Sequence, residues 1–200
     1  MVCKLVAATA ATLMALPLLS AAAPVVEKRA GITCQKKFAG HLYAYTLSGQ
    51  PQQNLTVTFD SESFLKVDYT AKAQPVYTQF DECWTDGWNK DGYMYGQLKP
   101  VGADFQRTPH CFTGVTPGSE PTEINVQACS SSNDALLNQQ WWMANWTPTN
   151  IFTVRLTGNP NDGSQVLRNN VIVDDAGRVQ EKTEDGEDVI ELQFANIEYY

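Results

Sequence analysis

The stretch from Glu82 to Gly96, "ECWTDGWNKDGYMYG", gathers Trp84, Trp88, Tyr93 and Tyr95 among Asp86, Asn89 and Asp91. Aromatic faces stack on the C–H faces of sugar rings, and carboxylates and amides hydrogen-bond the hydroxyls, so this mixture suits a carbohydrate ligand. Trp84, Asp86 and Trp88 are the candidate ligand residues of the stretch. The competing reading sends two of the aromatic rings into the core and leaves the rest as surface. Residues arranged for catalysis are missing: the two histidines, His41 and His110, fit no H-E-x-x-H spacing, and no Gly-x-Ser-x-Gly elbow occurs. A glycosidase needs only two carboxylates facing each other across a cleft. The obvious pairs, Asp81-Glu82 and Asp174-Asp175, are adjacent, and adjacent strand residues point to opposite faces. The acidic segment Asp174 to Asp188 lacks the alternation and closing glutamate of a calcium loop. No metal, cofactor or catalytic residue is therefore expected.

The elements that must position these residues read as strands. "LTVTF" (Leu55 to Phe59), "LKVDY" (Leu65 to Tyr69) and "FTVRL" (Phe152 to Leu156) alternate apolar and polar residues as half-buried strands do. Further strands are predicted at "LYAYTL" (Leu42 to Leu47), "PVYTQF" (Pro75 to Phe80), "YMYGQL" (Tyr93 to Leu98), "INVQA" (Ile124 to Ala128), "VIV" (Val171 to Val173) and "VIELQF" (Val189 to Phe194). Turn clusters such as "TDGWNKDG", "TPGSEP" and "GNPNDGS" separate them. One helical turn is predicted in "SNDALL", capped by Asn133 or Asp134. The segments "VYTQFDEC", "INVQACSS" and "IELQFANI" share an alternating pattern with Gln79, Gln127 and Gln193, a weak sign of threefold repetition.

Composition narrows the setting. Lys4 followed by an apolar run from Leu5 to Leu19 and small residues reads as a secretory signal peptide over 1–22, too short for a membrane span. Residues 23–29 read as a propeptide ending in the dibasic Lys28-Arg29, leaving 30–200 as a single domain. Fourteen basic and 22 acidic residues give a net charge of −8, which processing makes more negative. Nucleic acid is repelled by such a chain. Cys34, Cys83, Cys111 and Cys129 remain after the leader, an even set that reads as two disulfides with three possible connectivities. The sequons at Asn54 and Asn145 are candidate N-glycosylation sites.

From Gly96 to Trp142 the order of features is a strand with "GQL", Cys111, a polar turn, a strand leading to Cys129, a short turn, and Gln139-Gln140-Trp141 in "LLNQQWW". This order resembles one repeat of the ricin B-type lectin family. The resemblance implies an all-β, single-domain β-trefoil of about a dozen short strands in three pseudo-repeats. It also implies a Cys111–Cys129 disulfide within the repeat and an inward-packed Gln-x-Trp formed by Gln139 and Trp141. With sequence proximity it favours Cys34–Cys83 for the other pair. In galactose-binding repeats an aspartate stands two residues after the first cysteine, where this chain has Thr113, and the nearest asparagine to the family's position is Asn125. A threonine hydroxyl does not reproduce the two-hydroxyl grip of a carboxylate.

The expected function is that of a secreted, non-catalytic carbohydrate-binding or recognition protein. Its candidate ligand residues are Thr113, Asn125, Trp84, Asp86 and Trp88, its partner a carbohydrate, and neither nucleic acid nor membrane is expected. The alternatives are a β-trefoil acting on a protein through its loops, such as a protease inhibitor, and a secreted hydrolase with an unrecognised carboxylate pair.

Overall fold

Among the described residues, twelve strands form one continuous antiparallel sheet in the computed structural model. The structure describes residues 31–46, 54–70, 72–85, 87–89, 92–102, 109–115, 121–132, 134–147, 151–159, 170–182 and 190–200. The leader and propeptide with Lys28 and Arg29, Asp86, Asp91, the cap candidate Asn133, residues 160–164 of "GNPNDGS" and the acidic segment 183–189 lie outside the described residues.

The strands are β1 (Thr33–Thr46), β2 (Asn54–Phe59), β3 (Leu65–Asp68), β4 (Tyr77–Trp84), β5 (Met94–Pro100), β6 (His110–Gly114), β7 (Thr122–Ala128), β8 (Trp142–Trp146), β9 (Phe152–Leu156), β10 (Asn170–Val173), β11 (Val179–Lys182) and β12 (Ile190–Tyr199). One short helix, α1 (Ala135–Gln139), starts at Asp134, whose side chain accepts the Leu137 N–H at 2.9 Å. Pairing runs β1–β4–β5–β8–β9–β12 and returns from β12 to β1, so six strands close into a ring. Closure removes the open edges that a sheet otherwise exposes. The remaining strands form three hairpins, β2–β3, β6–β7 and β10–β11. These hairpins meet one another through Phe64↔Asn125, Lys66↔Arg178 and Gln180↔Glu123.

Inward residues of the ring and hairpins make one core around Phe38, which stacks on Phe80 at 5.2 Å and on Phe152 at 4.2 Å. The opposite faces of β4, β5 and β8 carry a second cluster of Cys83, Tyr95 and Met143 with Trp88, Leu137 and Trp141. The disulfides Cys34–Cys83 and Cys111–Cys129 are both formed, the first across directly paired residues of β1 and β4.

Three strands escape sequence prediction, two of them for one reason. β6 and β8 are buried on both faces along most of their length, so alternation disappears. β11, "VQEK", puts Glu181 at an inward position, where its carboxylate accepts the Leu156 N–H at 3.2 Å. β1 begins at Thr33 and not at Leu42, its first five residues being exposed and, apart from the disulfide-bonded Cys34, polar. The glutamine repeat is also corrected: Gln79 and Gln193 lie on ring strands β4 and β12, but Gln127 lies on the hairpin strand β7. The ring strand in the corresponding place is β8.

Arg178 ties the hairpins together. Its guanidinium donates to Asp60 at 2.9 Å and to Glu123 at 3.4 Å, pairs with Glu62, and lies 4.2 Å over the Phe64 ring. Burial alone would raise the Asp60 carboxyl, but the N–H groups of Phe64 and Glu62 together with Arg178 hold it below the ordinary carboxylate range. Burial likewise opposes ionisation of Asp134, and hydrogen bonds from Ser132, Leu137 and Ser130 outweigh it. A carboxyl depressed in the fold contributes stability that is complete above its unfolded value, about 4, and is lost as pH falls through the folded value. The melting temperature is therefore expected to be level above about pH 5 and to fall below about pH 4. Thermal melts from pH 2 to 7 test this, and Arg178→Gln should lower the plateau and make the acid decline shallower.

Candidate functional site

The repeat that carried the family resemblance is built as structure. Gln140 is fully buried: its Oε1 accepts the Ser130 N–H at 2.7 Å, and its Nε2 donates to Thr113 Oγ1 at 3.0 Å and the Ala128 carbonyl at 2.9 Å. Trp142, also fully buried, donates from Nε1 to the Phe112 carbonyl at 3.0 Å. The inward glutamine and tryptophan are therefore Gln140 and Trp142, one residue beyond Gln139 and Trp141. The shift has a local cause: α1 runs through Gln139, and extended geometry begins only at Trp142. Trp141 is buried as well, but in the second cluster, edge-on to Trp88 at 5.4 Å.

Thr113 has no exposed surface, and its hydroxyl donates to the Cys111 carbonyl at 2.9 Å while accepting from Gln140. As a ligand residue it is corrected to a core residue, since both hydrogen-bonding directions are used inside the protein. Asn125 sits mid-strand in β7, opposite Thr113 of β6, and accepts from Gln127 Nε2 at 3.2 Å. The aromatic stretch divides: Trp88 and Tyr95 are buried, so Trp88 is likewise corrected to a packing residue. Trp84 and Tyr93 remain 42% and 50% exposed. Asn89 serves the connection itself, donating to the Cys83 carbonyl at 2.8 Å. The carboxylate pairs are engaged structurally: Asp81 binds Lys99 at 2.5 Å, Glu82 binds Lys37 at 2.8 Å, and Asp174 accepts the N–H groups of Ala176 and Arg178.

A better-shaped surface lies where β12 bulges away from β1. The register runs Ala39↔Glu198 and then His41↔Ala195, so Asn196 and Ile197 together face Gly40. Such a bulge bends the strand and re-aims its side chains. Asn196 adopts φ 55°, a left-handed conformation that asparagine tolerates better than most residues. Gly40 is required by the closeness of the bulge, because a Cβ there would stand 2.7 Å from the Ala195 carbonyl oxygen and 3.3 Å from the Phe194 ring.

Beside the bulge lies a groove of about 460 Å³ walled by Tyr43, Asn54, Trp146, Gln193, Asn196 and Tyr199. Trp146 is 43% exposed and Tyr199 61% exposed. Both rings are braced from beneath by buried Phe152, whose centroid lies 4.4 Å from Trp146 and 6.3 Å from Tyr199. Bracing fixes their orientation and leaves the remaining surface available. The amides of Asn54, Gln193 and Asn196 supply donors and acceptors around the rings. Sequence reading missed this groove because its walls come from β1, β2, β8 and β12. The one local signal was Trp146 inside a sequon, an aromatic residue where the chain turns outward.

A smaller cavity of about 310 Å³ is lined by Lys36, Asp81, Lys99 and His110, with the Asp81–Lys99 ion pair in its wall. Among the described residues no group of three or more His, Cys, Asp or Glu is placed to hold a metal ion. None of the described helices is long and apolar enough to cross a membrane. The arrangement defines an all-β protein with an aromatic, amide-edged groove and two disulfides. No protein-family model matches the chain, and no curated protein or solved structure is significantly similar to it.

Proposed function

We propose that the chain is a secreted β-trefoil that binds carbohydrate, without catalysis, in the groove formed by Trp146 and Tyr199. The trefoil reading is supported by the closed ring of six strands with three hairpins that meet one another, together with the resemblance of Gly96 to Trp142 to a ricin B-type repeat. Secretion is supported by the leader-like N-terminus and by two disulfides, which persist in oxidising compartments. The observation that carries the functional reading is the pair of exposed, rigidly backed aromatic rings in a concave surface edged by three amides. Rings of this kind offer stacking area at little conformational cost, and amides read hydroxyl positions. The binding site of this proposal lies apart from Thr113 and from the Trp84 to Tyr95 stretch.

A glycan array probed with the processed chain, made without N-glycans, tests the proposal. Reproducible binding is expected, and Trp146→Ala should weaken it at least about tenfold, the loss of one good stacking contact. Because Trp146 is half exposed, the variant should keep the parent's circular dichroism, with a lower melting temperature from the lost contact with Phe152. Silence on the array with inhibition of a protease panel would replace this reading with a β-trefoil acting on a protein. Polysaccharide hydrolysis abolished by a single Asp or Glu substitution would replace it with an enzyme.

A further inference from the structure

Asn54 is both a sequon asparagine and a wall of the groove. It is exposed at the first residue of β2 and pairs with Tyr45, while Thr56 pairs with Tyr43 and Tyr43 pairs in turn with Gln193. Directly paired residues share a face, and so do residues two apart on a strand. Asn54, Thr56, Tyr43 and Gln193 therefore project on the same side of the sheet, the side on which Tyr43 and Gln193 line the groove. The second sequon is placed differently: Asn145 pairs with Thr153 and Thr153 with Gln193, so it projects on that same side of the sheet, but it is not among the residues that wall the groove.

We propose that an N-linked glycan on Asn54 folds back into the groove, stacks its first sugars on Trp146 and Tyr199, and closes the site to external carbohydrate. The docking follows from attachment point and chemistry. A groove of about 460 Å³ falls within the range that encloses small-molecule ligands, large enough for a disaccharide-sized group. Tethering at the wall makes the first sugars a ligand at high effective concentration, so even weak stacking is populated. In the attachment step Asn54 Nδ2 bonds to C1 of the first sugar of a lipid-linked oligosaccharide. The C1–O bond to the lipid diphosphate breaks with its electron pair, and Nδ2 gives up one proton. Occlusion of external sugar rests on the carbohydrate-binding reading above, whereas docking of the chain's own glycan does not.

The experiment uses the full chain secreted from a host that performs N-glycosylation, with peptide mapping of both sequons and timed digestion of the native protein by a peptide N-glycosidase. Both asparagines are expected to be occupied, with the Asn54 glycan released at least about tenfold more slowly than the Asn145 glycan. Trp146→Ala should bring the two rates together, and denaturation should do the same in the parent protein. Thr56→Val, which removes only the Asn54 sequon, should strengthen binding to the best array sugar at least about tenfold. An unoccupied Asn54, equal release rates in the native protein, or slow release that persists after denaturation would each overturn the proposal. Protection at Asn54 that depends on Trp146, with no array binding by Thr56→Val, would support docking of the glycan and overturn the external ligand.

Discussion

Gly96→Ala is expected to destabilise the protein by about 3 kcal/mol or more, at or above the top of the usual range for an added methyl group. Gly96 lies within β5, opposite Glu82 of β4. A Cβ at this position would stand 1.8 Å from the Asp81 carbonyl oxygen, 2.9 Å from its carbon and 3.0 Å from the Cys83 nitrogen. All three obstructing atoms belong to backbone, so no side chain can rotate aside. Nor can β4 retreat easily, because the Cys34–Cys83 disulfide holds it to β1 and Asp81 is anchored to Lys99. A glycine inside a strand often marks such an approach of two backbones. Chemical denaturation measures the loss, and Gly102→Ala serves as the control, since nothing lies within 4 Å of its added Cβ. An unchanged midpoint for Gly96→Ala would mean that β4 and β5 are farther apart than described.

Trp142→Ala should cost about 3–5 kcal/mol, the range for removing a large aromatic residue from a packed core. Its ring is fully buried, meets Phe112 edge-on at 6.4 Å, and ties the Phe112 carbonyl of β6 to β8 through its N–H. The cavity would open where the ring of strands meets the β6–β7 hairpin, and the Phe112 carbonyl would lose a partner. Phenylalanine separates these contributions. Trp142→Phe should cost about 1 kcal/mol more than Trp141→Phe, because the Trp141 Nε1 has no acceptor among the described residues. Equal costs would indicate that the Trp142 hydrogen bond contributes little, and a reversed order would restore Trp141 as the structural tryptophan. Guanidinium melts of the three variants and the parent make the comparison.

The contrast between the two tryptophans also shows how far local reading reaches. Alternation with period two is a property of the chain, and it located β2, β3 and β9 to within a residue because apolar and polar side chains alternate along each. A helix cap at Asn133 or Asp134 was equally legible, since an acceptor side chain just before the helix satisfies an N–H that the helix leaves free, and the structure places it at Asp134. Register in "LLNQQWW" was not. Gln139, Gln140, Trp141 and Trp142 are chemically two equivalent pairs, and the choice depends on where α1 ends and which strand receives the ring. The same limit applies to Thr113, Trp84 and Trp88. A threonine that fills the core and one that binds a ligand look alike until Gln140 is seen donating to its hydroxyl. Neighbouring tryptophans differ only in whether Trp141 packs beside them.

The sequence by itself determined an all-β chain, the four cysteines from Cys34 onward and the acidic net charge, because each depends on residue type or on neighbours a few positions away. Tertiary structure alone decided that β12 returns to β1 and that Asn196 and Ile197 bulge against Gly40. That geometry brings Trp146, Tyr199 and Asn54 to one groove from three different strands. The physical reason is that a concave site is made by surfaces meeting across long chain separations. Exposure of an aromatic ring is then set by what fails to cover it, a property of no single segment.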